Sequence, residues 1–178
     1  MPARKPTTPS RSELRARAAR IRLVLTDSDG VLTDTGVYYG ESGEAFKRFS
    51  IRDGMGVERL RDRGVETAIM TGETSGSVRT RAEKLRMRHL YLGVKDKRAR
   101  LAAVLEETGL TPREIAYIGD DMNDLEIMRE IRASGLTGAP GDAMPEIAAL
   151  AHYRCVKGGG HGAFREFAEW LLTLRGDQ

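Results

Sequence analysis

Short apolar runs of strand length alternate with helix-periodic stretches along most of this chain, and that alternation restricts the fold more than any other feature. The apolar runs are "IRLVLTD", "VETAIMTG", "HLYLG", "IAYIGDD" and "GLTGAP". Between and after them come "GMGVERLRDRG" and helical patterns over roughly 74 to 86, 97 to 108 and 122 to 131, then a last helix from Gly162 to Leu174. Strands separated by helix-length connections must run parallel, with helices covering both faces, so the expected class is α/β with a Rossmann-like sheet. "TPRE", residues 111 to 114, reads as a capping box with proline at the first helical position. One stretch breaks the rhythm: "GVYYGESGEAFKRFS" alternates around the turn signal "ESGE" and predicts a β-hairpin inserted after the first strand.

A chain of 178 residues, 40% of them hydrophobic, can bury one substantial core and hardly two. One domain is expected over residues 21–178, preceded by a basic, disordered tail over 1–20 that ends in a short helical lead-in, "ELRARAAR". The net charge of +3 suggests nucleic acid, but its distribution does not. Residues 1–22 carry seven basic residues against Glu13 alone, and the remainder carries 22 basic and 25 acidic residues, so the basicity belongs to the tail. No nucleic-acid or membrane partner is expected, since stretches such as "EWLLTL" fall far short of the roughly 20 residues that cross a bilayer. "MPARKPTTPSRS" does not read as a secretory signal. The single cysteine, Cys155, excludes an internal disulfide and reads as a buried inert thiol in a short strand, which suits a reducing, cytoplasmic setting.

In an open α/β sheet, ligands bind at the carboxyl ends of the strands, and there the polar residues of this chain accumulate. The first strand ends in Asp27 and Asp29, the "AIMTG" strand in Thr71 and Gly72, and "AYIGDDMND" in Asp120, Asp121, Asn123 and Asp124, while Lys97 opens the helix after "LYLGVKD". Each piece alone has a plain structural reading, as a turn, a helix cap or a solvated lysine. Together they make a carboxylate cluster without histidine or cysteine, which suits a hard cation, and Mg²⁺ in particular where phosphate oxygens complete its shell. Such a cation also explains two carboxylates as close as Asp27 and Asp29, which would otherwise repel.

"DSDGVLTD", "AIMTG", Lys97 and "YIGDDMND" resemble the four motifs of the haloacid dehalogenase superfamily, largely Mg²⁺-dependent phosphohydrolases. "FKRFSIRDGMG", "GDDMND" and "GGHGAFRE" are similar to its branch of small 3-deoxy-octulosonate 8-phosphate and 3-deoxy-nononate 9-phosphate phosphatases. The resemblance implies that Asp27 attacks phosphorus and forms an aspartyl phosphate, and that Asp29 serves as acid and then base. It implies further that Asp27, the Asp29 backbone carbonyl and Asp120 hold Mg²⁺ with Asp121 and Asp124 behind them, and that Thr71, the Gly72 amide and Lys97 hold the phosphoryl oxygens. "GGHGAFRE" departs from the octulosonate enzymes, which usually carry arginine where His161 stands. His161 is retained as a candidate substrate residue, and Arg165 either braces the loop or touches substrate. The glycine run lacks the lysine and spacing of a P-loop.

Two other classes fit the chain less well. A receiver domain needs a lone phosphoacceptor aspartate at a central strand end, which this chain lacks, and a non-catalytic relic would not retain every motif residue. Only 41 residues separate Asp29 from Thr71 and 25 separate Thr71 from Lys97, so there is no room for a cap domain. An open site needs a cover, and in the family it resembles, hairpins assemble a homotetramer in which one subunit covers its neighbour's site. The same is expected here, with Lys47 or Arg48 reaching the adjacent subunit's substrate carboxylate. For the substrate, Glu73 follows Thr71 and Gly72 where octulosonate enzymes usually have arginine, and Lys84 lies eleven residues on, close to three helical turns. Both side chains are therefore expected on one face, and "TGE" followed by "RAEKL" is similar to the nononate 9-phosphate branch, a resemblance that favours a nine-carbon 9-phosphate over the eight-carbon alternative.

Overall fold

The computed structural model describes residues 9–177. In chain order the elements are α1 (Arg11–Ala18), β1 (Leu23–Thr26), β2 (Thr33–Gly40), β3 (Gly43–Phe49), α2 (Ile51–Asp62), β4 (Glu66–Met70), α3 (Gly76–Lys84), β5 (His89–Tyr91), α4 (Lys97–Thr108), β6 (Ile115–Ile118), α5 (Leu125–Arg132), β7 (Leu136–Ala139), α6 (Pro145–Ala148), β8 (Tyr153–Arg154) and α7 (Ala163–Arg175). Six strands form one parallel sheet in the order β5-β4-β1-β6-β7-β8, and β2 and β3 pair antiparallel as a separate hairpin.

Side chains alternate across the strands and fill two cores. Val24, Ile69, Ala116 and Ile118 face α2, α3 and α7, packing against Val57, Leu60, Val78, Phe164, Phe167 and Leu171. Leu23, Leu25, Ala68, Met70, Ile115 and Tyr117 face the other way, against Leu101, Val104, Ile127, Met128, Ile131 and Ile147. Every residue of β1, β6 and β7 is buried, as central strands of a doubly covered sheet require. Cys155 is buried with its thiol against the Ala163 carbonyl at 3.3 Å, and burial pushes its pKa up to about 12, so it is an inert thiol.

The capping box at Thr111 is present, with Glu114 accepting from the Thr111 backbone amide at 3.0 Å, but it starts a single 3-10 turn, Pro112–Glu114. The expected helix from residue 122 likewise begins with a 3-10 turn, Met122–Asp124, before α5. The larger correction concerns the tail. Residues 1–8 lie outside the described residues, but the lead-in forms α1 and is part of the domain. Ala18 is fully buried, and Arg17 donates to the carbonyls of Arg132 and Gly135 at 2.9 and 3.1 Å, placing a cation at the C-terminus of α5. Charge composition concealed this, because Arg17 uses its charge within the fold.

Helix α7 lies so close to β7 that Gly138 has no room for a side chain: a Cβ there would stand 2.5 Å from the Phe167 ring. Gly138→Ala should therefore destabilise the protein by about 2 kcal/mol through overpacking. Chemical denaturation is the measurement, and unchanged stability would show that α7 can move away at no cost.

Candidate active site

The strands that end at the centre of the sheet, β4, β1 and β6, deliver their following residues into one cleft of about 430 Å³, lined by Asp27, Asp29, Thr35, Thr71, Gly72, Glu73, Asp120, Asp121, Met122 and Asn123. The chain leaves β1 for β4 on one side and returns to β6 on the other, so the cleft sits where the strand order reverses. Asp27 continues β1, its amide bonded to the Ile118 carbonyl at 3.0 Å. The chain then folds into a tight loop in which the amides of Leu32 and Thr33 bond the Ser28 carbonyl at 2.9 and 3.0 Å. Gly30 takes φ +85°, and a side chain on it would occupy the space of the Asp120 carboxylate.

Beneath the cleft lies a buried charge cluster. The Lys97 ammonium donates to Asp27 Oδ2 and Asp124 Oδ1, each at 2.6 Å, and Lys97 is 1% exposed. Asp124 also accepts from the Tyr117 hydroxyl at 2.6 Å and from the amides of Asp120 and Asp121 at 2.9 and 3.4 Å, so its acceptor capacity is used within the fold. Burial lowers the Lys97 pKa, but Asp27 and Asp124 more than offset this and leave it raised, so the ammonium stays charged.

Asp27, Asp120 and Asp124 bring carboxylate oxygens within 4.8 Å of one another. Burial, then repulsion from Asp124, pushes Asp27 up to about 7, and burial, then Asp27, pushes Asp120 up to about 8. One ammonium does not neutralise three carboxylates. Among the described residues, Asp120 Oδ1 is buried with no hydrogen-bond partner. An unpartnered oxygen beside a second carboxylate, in a donor set made only of oxygen, fits a hard divalent cation held by Asp27, Asp120 and the adjoining Asp29 carbonyl. Asp121 is exposed and caps the Met122 amide at 2.6 Å, and with Asp124 it shapes the loop behind that position.

Other expected site residues are placed differently. Lys47 does not point outward to a neighbour: its ammonium donates to both oxygens of Asp29 of its own chain at 2.7 Å, and its side chain is 1% exposed. Arg48 bonds Asp34 at 2.7 Å, the Gly160 carbonyl at 3.1 Å and His161 Nε2 at 3.0 Å, and His161 Nδ1 lies 2.7 Å from the Gly159 carbonyl. Arg48 and His161 thus tie the hairpin to the glycine run and do not line the cleft. Arg165 bonds Glu169 at 2.7 Å and braces α7. Glu73 does line the cleft, but it precedes the α3 N-cap, Ser75, and its partner is Lys95 at 3.4 Å. Lys84 is the last residue of α3, a helix about 13 Å long that runs back against the strand direction, so it emerges at the opposite end of the sheet. Its neighbour Leu85 lines a cavity there with Glu66 and Thr67 at the start of β4. Helical periodicity cannot join Glu73 to Lys84, because Glu73 is outside the helix.

A model of the haloacid dehalogenase-like hydrolases matches residues 44–132. The 3-deoxy-D-manno-octulosonate 8-phosphate phosphatase KdsC of Escherichia coli K12 is 37% identical over 168 residues, 94% of this chain and 88% of that one. The chain belongs to the haloacid dehalogenase-like hydrolases. The 3-deoxy-D-manno-octulosonate 8-phosphate phosphatase of Moraxella catarrhalis, solved with magnesium, phosphate and KDO, superimposes on this hydrolase with a TM-score of 0.86 at 34% identity, covering 93% and 94% of the two chains. A probable YrbI family phosphatase from Pseudomonas syringae gives a TM-score of 0.86 at 38% identity, covering 93% of each.

Within this haloacid dehalogenase-like hydrolase, two neighbours of the cluster, Tyr117 and Lys95, are absent from the candidates of the sequence. Tyr117 has its phenol at Asp124, a role signalled only by a tyrosine in the middle of an otherwise aliphatic strand. Asn123 lies 3.4 Å from Asp27 Oδ2, and Lys95 flanks Gly72 and Glu73.

The raised acids make a testable statement about stability. In the folded protein Asp27 and Asp120 keep protons up to about pH 7 and 8, whereas the unfolded chain releases them near 3.8. Folding therefore binds protons in that interval, and stability declines as pH rises through it. His152 acts oppositely but only below 6.5, since burial, then Arg132, lowers its pKa to about 4. Between pH 6.5 and 8 the melting temperature of the metal-free protein should fall. Asp120→Asn should raise it by a few degrees at pH 8 and remove most of the further rise that added Mg²⁺ gives the wild type. A substitution without effect on either quantity would remove Asp120 from the cation site.

Proposed function

We propose that this hydrolase is a Mg²⁺-dependent phosphatase of 2-keto-3-deoxy sugar acid phosphates that works through an aspartyl phosphate on Asp27, and that 3-deoxy-D-manno-octulosonate 8-phosphate is its favoured substrate. The observation that carries the reaction class is the pairing of Asp27 with Lys97 at the floor of a cleft where Asp29 and Asp120 also open. Mg²⁺ held by Asp27, Asp120 and the Asp29 carbonyl would supply the positive charge that keeps these carboxylates ionised beside an anionic substrate.

Asp27 carries the nucleophilic oxygen. As it bonds to phosphorus the ester bond breaks, and Asp29 gives a proton to the departing alkoxide oxygen. Asp29, now a carboxylate, takes a proton from the water that attacks phosphorus, and the phosphate leaves Asp27 free. Thr71, the Gly72 amide and Lys97 surround the space beside Asp27 where phosphoryl oxygens accumulate charge. All three are fixed before substrate arrives, Thr71 and Lys97 being 2% and 1% exposed.

The eight-carbon substrate is favoured over the nine-carbon one for two reasons. Relatives named for octulosonate 8-phosphate cover most of the chain at 37% and 34% identity. The nine-carbon reading also needed Glu73 and Lys84 on one face, and Lys84 is at the wrong end of α3. We further propose that the site is covered by a second subunit in a homotetramer, because the hairpin leaves Tyr38, Tyr39 and Phe46 52%, 76% and 57% exposed. Among the described residues no helix is long and apolar enough to cross a membrane.

Asp27→Asn should lower kcat by on the order of a thousandfold or more while leaving the circular dichroism spectrum unchanged. Turnover within tenfold of wild type would exclude Asp27 as nucleophile. The ratio of kcat/KM for octulosonate 8-phosphate to that for nononate 9-phosphate should exceed ten, and a reversed ratio would restore the nine-carbon substrate. Sedimentation should find a tetramer, and a stable monomer with full activity would end the shared-site arrangement.

A further inference from the structure

Lys47 takes no part in the bond-making and bond-breaking steps, yet it is the most deeply held cation of the hairpin. It sits on β3 opposite Val37, its side chain 1% exposed while its neighbours Phe46 and Arg48 are open to solvent. A lysine seldom accepts such burial unless its charge is fully used. Here it is used on Asp29, both oxygens at 2.7 Å, and on Glu44 at 3.6 Å. Burial alone would lower the Lys47 pKa, but the Asp29 pairing outweighs it. Thr33, the first residue of β2, places its hydroxyl 3.3 Å from Asp29 Oδ1.

The chain of contacts continues beyond Asp29. Glu44 accepts a short hydrogen bond from the hydroxyl of Ser75, the N-cap of α3, four residues after Thr71. Asp29, Lys47, Glu44 and Ser75 therefore join the loop after β1 to the loop after β4 through the hairpin. Asp29 stands on a loop beyond the end of β1, and among the described residues its carboxylate has hydrogen bonds from Thr33 and Lys47 only. Without Lys47, one neutral hydroxyl at 3.3 Å would remain to hold it.

We propose that Lys47 is a positioning residue for the proton-transfer step: the hairpin holds the Asp29 carboxyl group at the leaving-group oxygen through Lys47, with Glu44 and Ser75 fixing Lys47 in turn. The inference rests on Asp29 acting as the acid, as in the reaction proposed above. A general acid matters for an alkoxide, which must be protonated to leave, and matters little for p-nitrophenolate, which leaves as the anion. Loss of positioning therefore has a signature that loss of fold does not.

The test compares kcat/KM, which covers steps through departure of the alcohol, for octulosonate 8-phosphate and p-nitrophenyl phosphate in wild type, Asp29→Asn, Lys47→Met, Lys47→Arg and the double variant Asp29→Asn with Lys47→Met. For Lys47→Met the loss on the sugar phosphate should exceed that on the aryl ester at least tenfold, and Lys47→Arg, which keeps a donor for both oxygens, should recover most of the difference. In the Asp29→Asn background Lys47→Met should change the ratio no further, because the two residues act through one carboxyl group. Should Lys47→Met fail to fold, Lys47→Gln takes the same comparison. Equal losses on both esters, or an undiminished effect of Lys47→Met in the Asp29→Asn background, would overturn the positioning role. A ratio unmoved by Asp29→Asn itself would instead remove Asp29 as the acid.

Discussion

Three carboxylates and one ammonium packed under the ends of β1 and β6 are the arrangement on which the rest of the site depends. Removing either partner of such a buried pair leaves an uncompensated charge, at a cost of roughly 3–5 kcal/mol. The fold meets that constraint by giving Asp124 four hydrogen-bond donors and Lys97 two carboxylates. Among the described residues Asp120 keeps an unpartnered buried oxygen and Asp27 keeps a raised pKa, an arrangement that fits a bound cation.

The loop that carries Asp27 and Asp29 is held from outside by elements distant in sequence. A side chain on Gly159 or Gly160 would overlap the backbone of Gly30 or Thr33, so the glycine run packs directly on that loop. Asp53 fixes the far end of that run by accepting from the Gly162 and Arg165 amides at 3.1 and 3.0 Å, and Asp142 accepts from Gly159 at 3.0 Å. Arg48 binds the hairpin to the same segment, and its hydrogen bond to Asp34 holds that carboxyl below the usual carboxylate range. The glycine run is therefore a contact surface for the loop that carries Asp27 and Asp29. Its spacing, unlike that of a phosphate-binding loop, follows from the need for close backbone approach.

The parallel sheet, the hairpin and the residues at the strand ends are legible in the chain itself. Their signals are local: apolar period, turn residues, and carboxylates directly after β1 and β6. A strand end inside a parallel sheet has one address, so Asp27, Thr71 and Asp120 could be grouped without knowing their distances. Lys84 was misplaced, and the contacts of Lys47, Arg48 and His161 within the chain went unseen, for the converse reason. Each is a long or exposed side chain whose partner is chosen by packing between elements, and spacing along the chain says nothing about that choice.

The amino-acid sequence by itself determined the class of fold, the edge of the sheet where the acidic cleft lies, and the carboxylates that meet there, because periodicity and strand-end position act over a few residues. Only the tertiary structure decided that α1 belongs to the domain, that Lys84 faces the wrong end and Lys47 grips Asp29, and that Tyr117 completes the buried cluster. Those outcomes depend on which charge finds which partner once water is excluded. Such pairings join residues as far as 157 positions apart, as Arg175 and Ala18 are, and no local pattern in the chain records them.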